Sequence, residues 1–252
     1  MGIKSRYAPG YESVAPLLKR FVENDVPPEA EVIYRGRNTV SVCGHDGVRL
    51  NFKQFKTPIL INRLAYGCLR KSKAVRAFEN ATRLQAWGIN TPTPVAVAEE
   101  RRGPMLYRSV FVSLQADGYT DCRHIEHEPD FERQAEYIAD LILKLQRAGI
   151  VMLDFSPGNV MRRRRPDGGI DLCLVDINRM DFGVRSQRRL DHMFGAFVET
   201  AEAVAVIGRA YARLAGIDER QGAERAVATF ERVQRHLIRK KRFKNFFKKL
   251  FN

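Results

Sequence analysis

Two short stretches in the middle of the chain place carboxylates and an amide at the edge of hydrophobic runs. The first is Asp154-Phe155-Ser156-Pro157-Gly158-Asn159, and the second is Leu172-Cys173-Leu174-Val175-Asp176. Phosphoryl transfer from ATP needs these groups, since one Asp orients a hydroxyl nucleophile while an Asn and a second Asp hold Mg²⁺. We therefore expect Asp154 to be the catalytic residue and Asn159 and Asp176 to be metal ligands.

A second aspartate competes with Asp176 for the metal. The triplet Asp181-Phe182-Gly183 has the letters of the metal-binding motif of protein kinases. No hydrophobic strand leads into that triplet, whereas Asp176 ends such a strand. Asp176 also follows Asp154 by 22 positions, against 27 for Asp181. We favour Asp176 and keep Asp181 as the alternative.

The first half of the chain predicts five strands and one helix. The strands alternate apolar with polar residues and lie near 32–34, 40–42, 48–52, 95–99 and 105–114. The helix covers about 72–87, with Ser72 as its N-cap and Gly88 after its end. The first thirty residues have little pattern and predict an extended lead-in.

The second half predicts mainly helix. Helical stripes cover about 131–148, 187–214 and 218–239, and strands are expected at 160–162 and 170–175. The change from strands to helices falls near 113–118. We expect one domain over 1–114 and a second over 115–252.

Composition restricts the class of protein. The chain has 252 residues, of which 44% are hydrophobic, and no apolar run approaches the roughly 18 residues of a membrane span. A cytoplasmic protein is expected, with its four isolated cysteines reduced and mostly buried. The net charge of +14 predicts attraction to polyanions.

Four segments carry a resemblance to a known family. They are RKSKAVRAFEN (70–80), GINTPTP (88–94), DFSPGNV (154–160) and LVDINRM (174–180). In them the chain resembles the bacterial lipopolysaccharide kinase family, which phosphorylates sugars of the lipopolysaccharide inner core. The resemblance implies a protein-kinase-like bilobal fold of the α+β class. It also implies a five-stranded antiparallel N-lobe with one helix, and a mainly helical C-lobe.

The resemblance also implies roles in ATP binding. Lys53, at the end of the third strand, would bind the α- and β-phosphates, with Lys56 as its rival. Glu79, the only acid of the helix, would form an ion pair with Lys53 or simply balance its basic neighbours. Gly36 would turn the loop that covers the phosphates, or serve only as a turn glycine.

The backbone of Ser113 and Gln115 would lie against adenine. One departure from the kinase pattern concerns Met152, which stands where kinases commonly have a His two residues before the catalytic Asp. A membrane-docking pseudokinase is therefore an alternative. A protein Ser/Thr kinase or a small-molecule kinase is another.

Two basic stretches suggest anionic partners. Arg162 to Arg165 form either a solvated turn or a grip on an anionic acceptor. The tail from Lys240 to Asn252 has six basic residues, no acid, and an apolar stripe at helical spacing: Phe243, Phe246, Phe247, Leu250 and Phe251. Such a stripe predicts either a helix on an anionic membrane surface or packing against the rest of the protein.

Together these patterns predict an ATP- and Mg²⁺-dependent kinase. The resemblance implies that the acceptor is a Kdo-type sugar hydroxyl of lipopolysaccharide or lipid A-core. The expected location is cytoplasmic, peripherally attached to the inner membrane. No nucleic-acid partner is expected, since basic and aromatic residues are not interleaved in a recognisable RNA-binding motif.

Overall fold

The computed structural model describes residues 2–23, 26–57 and 70–250, with side chains over the same ranges except at 241 and 244–250. The chain packs as two compact units. The first comprises Met1–Gly118 and Asp176–Arg179, and the second comprises Tyr119–Val175 and Met180–Asn252. The return segment Asp176–Arg179 thus packs with the first unit, although the sequence around it belongs to the second.

The first unit is built on an antiparallel sheet of six strands among the described residues, in the order β1-β5-β6-β4-β3-β2. The strands are β1 (Gly2–Tyr7), β2 (Glu31–Arg35), β3 (Thr39–His45), β4 (Val48–Phe55), β5 (Pro94–Arg102) and β6 (Met105–Leu114). Strands β2 to β6 confirm the five predicted from apolar alternation. The prediction that the sheet has five strands is wrong by one, because a sixth strand, β1, pairs along its whole length with β5.

Helix α1 (Ala15–Glu23) also contradicts the extended lead-in predicted for the first thirty residues. Its buried residues recur at helical spacing: Leu17, Leu18, Phe21 and Val22. The ring of Phe21 stacks on that of Phe52 in β4, with centroids 3.9 Å apart. Helix α1 therefore covers one face of the sheet, and burying each of its large apolar side chains contributes about 1.5–3 kcal/mol.

Helix α2 (Lys73–Ala86) matches its predicted position and packs against β4, β5 and β6. The side chain of Ser72 accepts a hydrogen bond from the backbone N–H of Val75 at 3.2 Å, which caps the first turn. Buried Asn80 donates from Nδ2 to the carbonyl oxygen of Ile177 at 2.7 Å. This bond fastens the return segment to α2.

The second unit combines helices with two small sheets. Its strands are β7 (Thr120–Asp121), β8 (Val151–Met152), β9 (Val160–Arg164), β10 (Ile170–Leu174) and β11 (Met180–Asp181). They form the antiparallel sheets β10-β9-β7 and β11-β8. Helix α3 (Phe131–Arg147) buries an apolar face that includes Ile138, Ile142 and Leu145. Helix α3 and strands β9 and β10 confirm their predicted positions.

The helix predicted over 187–214 is interrupted. Helix α4 (Gln187–Leu190) is followed by a 3₁₀ turn, Asp191–Gly195, and helix α5 (Ala201–Ala215) begins separately. The side chain of Thr200 accepts a hydrogen bond from a backbone N–H of the first turn of α5 at 3.1 Å. This N-cap starts a new helix within the segment that apolar periodicity predicted to be a single helix.

The last helix, α6 (Glu219–Leu250), is longer than the predicted 218–239, because it continues through the basic tail. Most of the tail's apolar stripe lies outside the described side chains, namely Phe246, Phe247, Leu250 and Phe251. In the described ranges of the chain, no helix combines the length and apolarity that crossing a membrane requires.

Three cysteines, Cys43, Cys122 and Cys173, are free and buried, as predicted. Burial raises the pKa of both Cys122 and Cys173 to about 12. Their thiols therefore stay protonated near neutral pH and behave as small apolar groups. Cys68 lies outside the described residues.

Candidate active site

Lys53 and Asp176 form a close ion pair inside the first unit. Side chains alternate between the faces of a strand, so Leu50 and Phe52 point to α1 while Lys53 points to the opposite face. Its Nζ lies 2.7 Å from Oδ1 of Asp176, with side chains 18% and 34% exposed. The ring of Phe55, on the same face, lies 5.6 Å from Nζ. Two of the predicted site residues are thus brought together.

Asp176 has a left-handed backbone, with φ of +53°. This conformation costs a non-glycine residue on the order of 1–3 kcal/mol, and Asp tolerates it better than most. Its Oδ1 accepts a hydrogen bond of 2.5 Å from Nδ2 of Asn178. A strained aspartate held by an ammonium group and an amide is typical of a functional site.

Asn178 is a site residue that the sequence predictions missed. Its side chain is buried, and its Oδ1 has no hydrogen-bond partner among the described residues. A buried oxygen without a partner is costly, which indicates that a cation or water completes its bonding. The signal available in the sequence was the spacing of Asp176 and Asn178, since alternate residues of a turn often supply oxygen ligands to a cation.

Lys73 lies in a group of positive charges that includes Lys53. Lys73, the first residue of α2, has its pKa lowered by burial and by the charges of Arg37, Arg76 and Lys53, while the carboxylate of Asp176 acts in the opposite direction. Three cations and one carboxylate act on the Lys73 ammonium, so positive charge is in excess around Lys73. That excess suits a polyanionic ligand such as a triphosphate.

The expected ion pair between Lys53 and Glu79 is wrong. Both carboxylate oxygens of Glu79 accept hydrogen bonds from Nζ of Lys71, at 2.9 and 2.8 Å, and Oε1 also accepts from Arg6 at 3.2 Å. Burial alone would raise the pKa of Glu79, but these two cations lower it. The reason is helical register: Asn80 faces the return segment, and Glu79 lies about 100° around the helix from it.

Gly36 lies in the turn between β2 and β3, where its N–H donates to the carbonyl oxygen of Asn38 at 3.1 Å. A Cβ added to Gly36 would lie 2.5 Å from the hydroxyl of Tyr34. Glycine therefore lets the Tyr34 side chain close over the turn. A contact of Gly36 with phosphates stays a prediction.

Ser113 is buried in β6, opposite Asn51 of β4. The N–H of Gln115 donates to the carbonyl oxygen of Arg49 at 2.9 Å, and its side-chain oxygen accepts from Nδ2 of Asn51 at 2.7 Å. These Gln115 groups are used within the first unit, so an adenine ring would have to meet other backbone groups of this segment. The adenine contact of Ser113 and Gln115 stays a prediction.

The residues of the predicted catalytic loop, 154–159, belong to the second unit, between β8 and β9. Nδ2 of Asn159 donates to the carbonyl oxygen of Asp154 at 2.9 Å, and the carbonyl oxygen of Asn159 accepts from the N–H of Val175 at 2.9 Å. The bond to Asp154 uses the amide nitrogen of Asn159 and leaves its side-chain oxygen as the atom that could bind a cation; that role stays a prediction. Met152 is fully buried and pairs with Met180 between β8 and β11, so it serves the core where kinases commonly have a His.

The rival aspartate, Asp181, has a different partner. It lies in β11, and its Oδ2 accepts a 2.6 Å hydrogen bond from Arg189. Asp176 lies instead in the left-handed turn beside Lys53. The choice of Asp176 over Asp181 as metal ligand stays a prediction, and this difference in surroundings supports it.

The four consecutive arginines of the β9 hairpin all have acidic partners. The ion pairs are Arg162 with Glu128, Arg163 with Asp171, Arg164 with Glu128 and Asp130, and Arg165 with Asp167 and Asp171. Hydrogen bonds from Arg162 lower the pKa of Glu128 to about 2, and those from Arg164 lower the pKa of Asp130 to about 2. This neutralisation favours a structural role over a grip on the acceptor.

The oxygen ligands that Mg²⁺ prefers are present at the predicted positions. In the first unit, Asp176 offers a carboxylate, and the Oδ1 of Asn178 has no hydrogen-bond partner among the described residues. In the second unit, Asn159 offers an amide oxygen. Their role as metal ligands stays a prediction. Glu126, His127 and Glu199 form another group of ligand atoms within 4.8 Å of one another. In that group the Glu126 carboxylate already accepts the N–H of Glu199 at 3.0 Å.

Known proteins share this sequence pattern and fold. The sequence profile of the lipopolysaccharide kinase (Kdo/WaaP) family matches residues 28–216. The structure is similar to that of WaaP in complex with acyl carrier protein, at 17% identity and a TM-score of 0.61, covering 92% of this chain and 97% of that chain. The likeness to WaaP shows a protein-kinase-like fold and confirms that part of the prediction.

A second similar structure is the Rio2 kinase-ADP/Mg²⁺-phosphoaspartate complex from Chaetomium thermophilum. It has 14% identity and a TM-score of 0.48, covering 89% of this chain and 74% of that chain. No curated protein sequence matches this chain significantly.

Proposed function

Because the chain belongs to the lipopolysaccharide kinase (Kdo/WaaP) family, we propose that it transfers the terminal phosphoryl group of ATP to a hydroxyl of a Kdo-type sugar in the lipopolysaccharide inner core. The family supports phosphotransferase activity and the use of ATP. Beyond the family, the proposal rests on the 2.7 Å pair of Lys53 with Asp176, whose backbone is left-handed.

The phosphates of ATP are bound by the basic residues of the first unit. Lys53 contacts the α- and β-phosphates, and Lys73 and Arg37 add positive charge beside it. In this proposal the phosphates replace part of the contact that Asp176 makes with Lys53. This releases the Asp176 carboxylate for the metal.

Asp154 orients the acceptor hydroxyl and takes its proton as the new O–P bond forms and the bond to ADP breaks. The hydrogen bond from Asn159 to the Asp154 carbonyl holds the loop that carries this carboxylate. Transfer then depends on positioning and on charge neutralisation, with no covalent enzyme intermediate.

Asp176 and Asn159 would hold Mg²⁺, with Asn178 orienting the Asp176 carboxylate through its 2.5 Å bond. When bound, the metal supplies neutralisation of phosphate charge. The protein's part is to present side chains that are already held by hydrogen bonds, which limits the reorganisation needed on binding.

The basic end of α6 attaches the enzyme to the anionic membrane that contains its lipid-linked substrate. Leu237, Ile238 and Phe243 are exposed large apolar residues of this helix. Exposed Arg239 and Arg242 lie among them. Apolar residues beside cations on one helix are typical of binding at a membrane surface.

The function is tested by incubating the purified protein with radiolabelled ATP, Mg²⁺ and lipid A-core from cells that lack the gene. Label should enter the core sugar, and mass spectrometry should locate one added phosphate. The Asp154→Asn and Asp176→Asn variants should lose at least a hundredfold in rate, because a group that acts on the reacting atoms is missing.

The matched control is Asp181→Asn, which removes an aspartate carboxylate from the rival position and should keep most of the activity. Transfer by Asp154→Asn at the wild-type rate would refute its role. Transfer to a basic protein or an aminoglycoside in preference to lipid A-core would refute the proposed acceptor.

A further inference from the structure

Arg123 lies against the loop that carries Asp154, although it belongs to a separate segment of the chain. The preceding residues, Thr120–Asp121, pair with β9 as strand β7, and the N–H of Cys122 donates to the carbonyl oxygen of Pro157 at 2.8 Å. The segment is thus fastened to the catalytic loop by its backbone. Arg123 follows this anchor directly, so its position relative to the loop is fixed at the main chain.

The Arg123 guanidinium occupies the space over Gly158. A Cβ added to Gly158 would lie 2.8 Å from Nη2 and 3.3 Å from both Cζ and Nε of Arg123. Glycine at this position therefore lets the guanidinium approach the loop backbone closely. Any larger residue would force it to shift.

Asp121 holds the guanidinium from its other side. Its Oδ2 accepts from Nη1 of Arg123 at 2.7 Å, and its Oδ1 accepts from the Arg123 backbone N–H at 3.0 Å. The Arg123 side chain is nonetheless 64% exposed. A guanidinium has five N–H donors in a planar fork, and the bond to Asp121 uses one of them.

Arg123 differs from the other basic residues near the loop 154–159 in how exposed its charge is. The loop from Asp154 to Asn159 contains no basic residue. The arginine run 162–165 is neutralised by the acids described above. Arg123 also has an acidic partner. It differs from the arginine run in its higher exposure and in its contact with the loop that carries Asp154.

We propose that Arg123 binds an anionic group of the acceptor, a carboxylate or a phosphate, and so positions the neighbouring hydroxyl for Asp154. The planar fork suits bidentate contact with either oxyanion. This inference rests on the proposed function and adds a basis for acceptor specificity: acidic sugars are preferred over neutral ones.

The test compares two acceptors prepared from one core oligosaccharide. One is native, and in the other the carboxyl groups are reduced to alcohols and the phosphates removed. Wild-type enzyme should show a KM about 10- to 100-fold higher for the neutral acceptor, which corresponds to one charge-assisted contact. Arg123→Gln should show a similarly raised KM for the native acceptor and little preference between the two, with the KM for ATP unchanged.

Two further variants separate binding from general damage. Asp121→Asn keeps the guanidinium but removes the carboxylate that orients it, so a smaller rise in acceptor KM is expected. Arg163→Gln removes another arginine of the same unit that has an acidic partner, Asp171, and should leave acceptor preference unchanged.

Other results would overturn the inference. If Arg123→Gln lowers acceptor-free ATP hydrolysis as much as transfer, Arg123 contacts the transferred phosphoryl group instead. If the variant retains the wild-type preference for the charged acceptor, Arg123 does not read its charge. Absence of transfer by the wild-type enzyme to either acceptor would mark failure of the proposed function itself, and the inference would fall with it.

Discussion

The ammonium group of Lys53 bonds to Asp176, while the glutamate of α2 bonds elsewhere. This arrangement links the predicted phosphate-binding residue directly to the predicted metal ligand. In the proposed function, the phosphates of ATP would compete with the Asp176 carboxylate for Lys53. ATP binding and the availability of Asp176 for the metal would then be coupled through the Lys53 side chain.

Replacing Lys53 by Met should lower kcat/KM for ATP by about 10²–10³-fold, since it removes one preorganised cation from the phosphates. Lys56→Met is the matched control. Lys56 is exposed directly after the same strand, and its backbone N–H donates to the side-chain oxygen of Asn38. Steady-state kinetics at varied ATP measure both variants, and equal losses would contradict the choice of Lys53.

Asn178→Ala should weaken the dependence of activity on magnesium. Without the Asn178 amide, the Asp176 carboxylate loses a 2.5 Å hydrogen bond that orients it. Loss of such a supporting contact typically costs 10–100-fold in metal affinity. Activity titrated with Mg²⁺ should give a higher half-saturating concentration, and a purely structural role would lower thermal stability with no change in that value.

The residue types and spacing around Asp154, Asn159 and Asp176 were sufficient to predict candidate residues but not their partners. Glu79 was expected to meet Lys53 because it is the only acid in its helix. Whether a helical residue reaches a given partner depends on rotation of the helix about its axis, and tertiary packing sets that rotation. Here Asn80 lies on the face toward the return segment, where it bonds to Ile177. Counting the charged residues of the helix could therefore not predict the partner of Glu79.

At the level of elements, strands with a strict apolar alternation were predictable, and strand β1 was not. Its sequence, Gly2–Tyr7, is mostly exposed, and its pairing depends on the open edge of β5, which is distant in sequence. Helix α1 was predictable in principle, because Leu17, Leu18, Phe21 and Val22 recur at helical spacing. The break between α4 and α5 was not predictable in the same way. It depends on the N-cap at Thr200, and one capping residue is a weaker signal in the sequence than the apolar periodicity on both sides of it.

Helices α5 and α6 pack closely at two glycines. A Cβ added to Gly208 would lie 2.8 Å from the carbonyl oxygen of Gly222 and 2.8 Å from Cβ of Ala226. Gly208→Ala should therefore lower the free energy of unfolding by about 1–3 kcal/mol through overpacking, despite the better helix propensity of Ala. Denaturant unfolding measures the change, and exposed Arg209→Ala is the control. A more stable Gly208→Ala variant would show that the two helices separate easily.

The pair Arg162–Glu128 should make stability depend on pH in the acidic range. The pKa of Glu128 falls from its ordinary value of 4.5 to about 2 in the folded protein. Its contribution is therefore fully present above about pH 4.5 and is lost as the pH falls toward 2. Glu128→Gln should cost about 1–2 kcal/mol at pH 7.

The destabilisation by Glu128→Gln should shrink as the pH is lowered from 4.5 to 2. Thermal unfolding over a pH series tests this, with exposed Glu132→Gln as the control for loss of one carboxylate. A difference between wild type and Glu128→Gln that stays constant down to pH 2 would show that the ion pair does not drive it.

For the whole molecule, a net charge of +14 by itself predicts only a general attraction to polyanions. The structure refines this, because the run 162–165 is neutralised by its own acids. The end of α6 differs, since the four consecutive cations from Arg239 to Arg242 lie between the exposed apolar residues Ile238 and Phe243 and the tail sequence has no acid. If the protein attaches to membranes through its charge, the strength of attachment should vary with the position of the cations in the chain as well as with the net charge.

Replacing Arg239, Lys240 and Arg242 together by Gln should weaken binding to vesicles that contain anionic lipid by about 10²-fold. Each cation near such a surface contributes about 1 kcal/mol. The control replaces three exposed lysines, Lys4, Lys19 and Lys56, by Gln, which lowers the net charge equally at other positions. Sedimentation with anionic and with zwitterionic vesicles, at low and at physiological salt, measures the binding of both triple variants. It separates the effect of charge in the tail from the effect of total net charge. If both triple variants lose the same affinity, total charge governs attachment; if neither does, the tail packs against protein and its lysines serve only solubility.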